Sequence, residues 1–312
     1  GFGALISAIA VGGELILHDL PKGESLLARL RDTGTTFVFG VPTHAIDLLA
    51  GLRRDGGELP DLAGFRISGA AVPDAVCAEL LDHGITPQSG YGMTEACSHH
   101  YTLPDDPPAH ITGTSGTACS GYEVRVFAQD DLNREAAVNE IGQIGGRGSS
   151  LMLGYFEDAA ATAASFNNAG FFMTGDIGAL DADGYLRITG RKKDVIIRGG
   201  HNIYPARIEA LAMRHGAVER AAAVPVPDER LGERVCIAVT LRPDGDLEPH
   251  DLLTHLDSEG LSKYDMPEFF LQVDEMPVTA NGKIMKRALN EWIEQGTVAP
   301  QPVRWTPPDQ AR

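Results

Sequence analysis

Thr94 and Glu95 set a hydroxyl beside a hard carboxylate oxygen donor, the kind of ligand that magnesium takes, directly after Gly90-Tyr91-Gly92-Met93. Further along, Asp176 follows Thr174-Gly175 and offers acceptor oxygens to hydroxyl partners. The stretch from Ile188 carries Gly190, Arg191, Lys192, Lys193 and Asp194, then Gly199-Gly200-His201 and Pro205. Lys283, after Thr279-Ala280-Asn281-Gly282, adds an ammonium on a flexible stem. Taken one at a time, each has a plainer reading. Asp176 is a turn former, Tyr91 a half-buried core aromatic, the basic run a surface turn between strands, and Lys283 a solvated charge.

The elements that must position these residues follow from apolar patterning. Residues 2–11 read as an apolar helix, 14–18 as a strand, 24–32 as a helix, 36–39 as a strand and 43–53 as a helix; a strand at 65–68 and a helix at 74–82 continue the alternation. Such alternation predicts a parallel α/β layer with ligand sites at the carboxyl ends of strands, where Gly69-Ala70-Ala71 and Gly90 to Glu95 fall. From 121 to 189 short strands and turns predict a β-rich part, including a hairpin at Asp181-Ala182-Asp183-Gly184 and a strand at 185–189 that Gly190 breaks. A strand at 195–197 ends at Gly199-Gly200, and Pro205 suits the first turn of a helix. Strands at 218–226, 234–241 and 269–273 and helices at 248–259 and 284–294 predict a small α+β domain, with a loosely held Pro-rich tail beyond Thr297. The expected fold class is therefore α/β: part of a large domain over 1–191 (α/β over 1–110, β-rich over 111–191), a small mobile α+β domain over 192–297, and a tail over 298–312.

Composition bounds the function classes. The 312 residues, 43% hydrophobic and 22% charged, suffice for about two domains with real cores. A net charge of −17 argues against a general nucleic-acid or anionic-membrane binder, which needs a basic face. No apolar run approaches the roughly 20 residues of a bilayer span. Cys77, Cys97, Cys119 and Cys236 show no disulfide or zinc spacing, so a reducing cytoplasm is the expected location.

Seven segments in order resemble the adenylate-forming superfamily of acyl-CoA synthetases, peptide-synthetase adenylation domains and luciferases. They are Ser68-Gly69-Ala70-Ala71-Val72-Pro73, Gly90 to Glu95, Gly142-Gln143-Ile144 leading to Gly154-Tyr155, Thr174-Gly175-Asp176, the stretch from Ile188 to Glu209, Val226 to Glu233, and Asn281-Gly282-Lys283-Ile284. The resemblance covers nearly the whole chain. It departs at the start: family members carry a Ser/Thr/Gly-rich phosphate loop ending in Pro-Lys-Gly, and nothing before Tyr91 resembles it. Thr112-Gly113-Thr114-Ser115-Gly116-Thr117 has the right composition but lies after Glu95 and lacks the lysine, so 112–120 reads as a turn-rich approach to a strand. With Gly1 in place of an initiator methionine, the expectation is a chain truncated at its amino terminus.

The resemblance implies ATP/AMP, Mg²⁺ and coenzyme A as ligands, and roles residue by residue. Lys283 would contact the attacking carboxylate and the α-phosphate, while Lys286 and Arg287 remain surface charges. Thr94 would donate to the α-phosphate, Glu95 would hold Mg²⁺, and Tyr91 would stack on adenine beside Gly69, Ala70, Ala71, Gly92 and Met93. Asp176 would hold the ribose, with Ile188 and Arg191 nearby. Lys193 would be the hinge, and Gly199, Gly200 and His201 would face the CoA thiol, although relatives often carry glutamate, phenylalanine or tyrosine at position 201. The acyl pocket would be bordered by Ala71, 89–92 and 96–100, where no lysine or arginine awaits a second carboxylate; this favours a monocarboxylic acid with an apolar body, of medium-chain or cyclohexanecarboxylate type. His99-His100 reads as a polar loop, since adjacent histidines supply too few convergent metal ligands. The implied activity is ATP-dependent acid:CoA ligation. Loading of a carrier-protein phosphopantetheine and a non-catalytic AMP-binding protein stay open as alternatives, as does a homodimer.

Overall fold

The computed structural model describes residues 2–18, 25–69, 72–243, 245–279 and 282–306, so Ala70, Ala71 and Asn281 lie outside the described residues. Helix Pro42–Asp55 shows how the first layer is built: Pro42 starts it, and Ala45, Leu48, Leu49 and Leu52 fall on one buried stripe at helical spacing. Each such leucine contributes roughly 1.5–3 kcal/mol on full burial. The stripe packs with Leu27, Leu80 and the strand residues Phe65 and Ile67.

The strands under it, Phe37–Gly40, Gly64–Ser68 and Thr86–Met93, are parallel, and antiparallel Cys97–Tyr101 and Thr117–Ala118 complete a five-stranded sheet in sequence order. Helices Pro42–Asp55 and Asp74–Asp82 are the crossovers between the parallel strands. Helix Phe2–Val11 forms as its apolar run predicts. The strand expected at 14–18 does not form: no regular element is found there.

Strands Tyr122–Phe127, Gly142–Gly148, Phe172–Leu180 and Leu186–Arg191 form a four-stranded sheet in sequence order. Its last turn is fixed by Asp181, whose Oδ1 accepts from the amides of Asp183 at 3.0 Å and Tyr185 at 2.9 Å. Gly190 does not break the last strand, which runs on to Arg191.

The chain divides into two compact units. One takes the residues up to Thr174 together with Gly178–Ile188; the other takes Gly175–Ile177 and the residues from Thr189 on. In the second unit strand Gly232–Leu241 is buried on both faces, pairing with Val218–Asp228 on one side and with Phe269–Gln272 in parallel on the other. Helices Pro205–Ala212 and Pro249–Ser258 cover one face through Ile208, Leu252 and Leu256, and helix Lys286–Glu294 covers the other through Leu289. The described part of the expected loose tail is in fact held. Gln301–Pro302 pairs with Phe269–Phe270, and Val303 and Trp305 pack on the core. An edge strand tolerates the proline because its amide side needs no partner.

Candidate active site

In the first unit the Gly90 to Glu95 segment does not follow a strand as expected; Gly90 to Met93 form the end of strand Thr86–Met93 itself. A bulge falls between Tyr91 and Gly92, and a Cβ on Gly92 would lie 2.1 Å from the Cys97 carbonyl oxygen, so only glycine allows the return strand to come this close. Cys97 takes a positive φ of 56° to complete the reversal. Thr94, at the tip, is exposed, and Glu95 is half-buried. Gly69 ends strand Gly64–Ser68 with a φ of 93°, and its nearest side-chain neighbour would be Val41.

The Tyr91 ring is 7% exposed and packs with Ile144 and Leu186, next to Met93 and Ile188, with the His99 ring edge-on at 5.0 Å. Tyr91 is thus a buried core aromatic. His99 and His100 are no polar loop. They lie on strand Cys97–Tyr101, both fully buried, with their Nδ1 atoms 3.0 Å apart and His99 stacked on Tyr122 at 4.3 Å. Burial drives both imidazoles below their usual pKa, His99 to about 4, with His99 adding its own repulsion at His100. The glycine-rich decoy has a structural task. Thr112-Gly113 closes helix Pro108–Gly113, and Gly116, at φ 78°, lies where a Cβ would strike the Tyr101 backbone at 2.0 Å.

Glu95 is tied to a residue that sequence reasoning flagged only as part of a weak Gly-Tyr match. The Tyr155 hydroxyl donates to Glu95 Oε1 at 3.2 Å. Among the described residues no group of three or more His, Cys, Asp or Glu side chains converges to hold a metal. A lone, half-buried carboxylate beside an exposed threonine hydroxyl fits Mg²⁺, which binds through one or two carboxylates plus phosphates and water.

In the second unit Asp176 and Arg191 meet across neighbouring strands, with Arg191 Nε 3.1 Å from Asp176 Oδ1. The Asp176 side chain is 8% exposed while that of Arg191 is 45% exposed, so the carboxylate is buried under a guanidinium that still reaches solvent. Thr189 Oγ1 donates to the Ile177 carbonyl at 3.2 Å and locks the same strands. Lys192–Asp194 form a single 3₁₀ turn that leads into strand Ile196–Arg198.

Lys283 belongs to the same electrostatic neighbourhood. Its turn is held by the Lys283 amide donating to Thr279 Oγ1 at 3.2 Å and the Thr279 amide donating to the Lys283 carbonyl at 2.8 Å, with Gly282 at φ 75°. The side chain is exposed, yet its pKa lies below the usual lysine value, first through lost hydration and then through repulsion by Arg191, against the pull of Asp176 and Asp194; Lys193 adds to the repulsion. Residues more than a hundred positions apart in sequence thus act on one another electrostatically. Lys286 departs from expectation: it is no surface charge but a half-buried partner of Glu209 at 2.6 Å, whereas Arg287 is exposed.

Gly199 and Gly200, at φ 58° and 86°, make the two-residue turn between antiparallel strands Ile196–Arg198 and His201–Ile203. The Gly199 amide donates to Leu231 at 2.7 Å, and His201 Nε2 lies 2.8 Å from Asp265 Oδ1. The His201 ring, held by a carboxylate of its own unit, is exposed, as is the glycine turn beside it.

Comparison with known proteins supports the same picture. The AMP-binding enzyme family profile matches residues 1–156, and that of the AMP-binding enzyme C-terminal domain matches 207–283. The chain is similar to a medium-chain fatty-acid–CoA ligase of Escherichia coli K12, with 33% identity over 91% of this chain and 50% of the relative. It is similar, at 34% identity over 88% of this chain and 55% of the relative, to a feruloyl-CoA synthase of Amycolatopsis. Among solved structures it is similar to ATP-bound MatB from Rhodopseudomonas palustris, with TM-score 0.84 and 29% identity over 94% of this chain and 57% of that one. A second is the o-succinylbenzoate CoA synthetase of Bacillus subtilis with its acyl-adenylate intermediate, with TM-score 0.80 and 27% identity over 93% of this chain and 58% of that one. The chain spans about half the length of the curated relatives it matches.

Proposed function

This chain belongs to the AMP-binding enzyme family, and from that premise we propose that it takes part in ATP-dependent activation of a carboxylic acid and transfer of the acyl group to coenzyme A. The observation that carries the reading is the buried Asp176 carboxylate paired with Arg191, both of which, with Lys193 and Asp194, act electrostatically on Lys283. Activation requires a substrate carboxylate oxygen to attack the α-phosphorus of ATP, forming the acyl-adenylate and releasing pyrophosphate. At about 4 Å two like unit charges repel by about 4 kcal/mol at the effective dielectric of a protein surface. A cation that follows the attacking oxygen removes that barrier, and the Lys283 ammonium, on a pinned turn, suits the task.

Asp176 is the proposed acceptor for the ribose hydroxyls, with Arg191 paired to its carboxylate and reaching the same sugar or phosphate. Thr94 donates to the α-phosphate. Tyr91, Gly69, Ala70, Ala71, Gly92, Met93 and Ile188 border the nucleotide. Bound Mg²⁺ would supply charge neutralisation at the phosphates, and Glu95 is the residue that would hold it. In the second half-reaction the CoA thiol attacks the acyl carbonyl and AMP leaves. The Gly199-Gly200 turn and His201 are the proposed thiol approach, and Lys193, on the 3₁₀ turn, is the proposed hinge residue. The proposed substrate is a monocarboxylic acid with an apolar body, and the free cysteines suit a reducing cytoplasm.

The test is mass-spectrometric detection of acyl-adenylate and acyl-CoA from Mg-ATP, CoA and a panel of medium-chain and alicyclic acids. Acid-dependent thioester with matching AMP supports ligation. AMP binding with neither product favours a binding protein instead.

A further inference from the structure

Glu95 sits on an exposed hairpin tip, where a free glutamate side chain would sample many rotamers, yet it is fixed from a segment far away in sequence. Three bonds converge on it and its neighbour: Tyr155 Oη donates to Glu95 Oε1 at 3.2 Å, the Met152 amide to the Glu95 carbonyl at 2.7 Å, and Ser150 Oγ to the Ala96 carbonyl at 2.9 Å. The far end of that segment is fixed as well. The Tyr155 amide donates to Thr162 Oγ1 at 2.9 Å, and Thr162 Oγ1 donates to the Asp158 carbonyl at 2.8 Å. Asp158 Oδ1 in turn caps helix Ala159–Ala164 by accepting from the Ala161 amide at 2.8 Å. Gly154 lets the chain pass Thr162, because a Cβ there would stand 3.0 Å from that side chain.

We propose that Tyr155 is a positioning residue: anchored through Thr162, its phenol holds one oxygen of Glu95, which presents the other to a divalent cation. This rests on the reading of Glu95 as the magnesium ligand. A phenol donating to a carboxylate makes a charge-assisted bond, strong enough to select one rotamer on a solvent-facing turn. Groups that orient a metal ligand typically alter affinity by about 10- to 100-fold when removed.

The experiment measures Mn²⁺ binding in the presence of ATP by electron paramagnetic resonance for the unaltered chain, Tyr155→Phe and Glu95→Gln, with metal-free ATP affinity measured alongside. The expected result is loss of bound Mn²⁺ in Glu95→Gln, roughly tenfold weaker Mn²⁺ binding in Tyr155→Phe, and unchanged metal-free ATP affinity in both. Tyr155→Phe binding Mn²⁺ as the unaltered chain does, while Glu95→Gln loses it, overturns the proposal and leaves the metal reading intact. Glu95→Gln binding normally overturns both.

Discussion

The Nδ1 atoms of His99 and His100 lie 3.0 Å apart, with both rings fully excluded from solvent. Only one ring can donate across that bond, so the two neutral imidazoles hold opposite tautomers. Their Nε2 atoms, like the Tyr122 hydroxyl stacked beside them, find no partner among the described residues.

That pair makes stability depend on pH. The folded state keeps both rings neutral, whereas the unfolded chain takes up protons below about 6.5, so stability is complete above that pH and falls as pH drops towards the folded value of about 4 at His99. The shift at His99 alone corresponds to a loss on the order of 3 kcal/mol across the window. Urea unfolding at pH 7, 6 and 5 should show a falling midpoint. A flat midpoint would mean that the rings are hydrated or differently paired.

Gly92 admits no side chain. Gly92→Ala pushes a methyl to within 2.1 Å of the Cys97 carbonyl, so the hairpin must open, at an expected cost on the order of 2–4 kcal/mol. Thermal unfolding reads this directly, and an unchanged melting temperature would contradict the close approach.

How much of this was legible beforehand divides by range. Local patterns gave helices at 43–53 and 74–82, which the structure has as Pro42–Asp55 and Asp74–Asp82, and strands at 36–39 and 65–68, because a buried stripe or an apolar run needs no distant information. The family resemblance gave roles to Asp176, Arg191 and Lys283, but not the ion pair between the first two or their influence on the third, which only the folded chain shows. The buried histidine pair was not legible: the bulge at Tyr91/Gly92 puts consecutive residues of the next strand into the interior, which breaks the alternation a strand normally displays. The Tyr155–Glu95 bond spans 60 positions, and only tertiary structure reveals it. The segment after Thr297 looked loose because its prolines hid an edge strand.

Thiol reactivity should sort by burial. Cys97 is exposed, whereas burial pushes the Cys77 thiol up to about 11 and that of Cys236 to about 12. A thiol reagent at pH 8 should label Cys97 quickly and reach Cys77 and Cys236 only in denaturant. Rapid labelling of all four cysteines in native buffer would contradict the described cores.

Asp176→Asn removes the charge that Arg191 faces and the better acceptor for a ribose hydroxyl. AMP affinity by calorimetry should fall roughly tenfold. Arg287→Ala, at a side chain 93% exposed, should leave it unchanged. Equal affinities in both variants would remove Asp176 from the nucleotide site.

In the proposed reaction Lys283 serves the attack on ATP and not the later attack by the thiol. Its most direct test compares the two half-reactions in Lys283→Ala, in the shortest polypeptide containing this chain that forms the thioester. Adenylate formation should fall by roughly 100-fold or more, while thioester formation from supplied acyl-adenylate stays within about threefold. Equal loss in both halves would contradict the assignment.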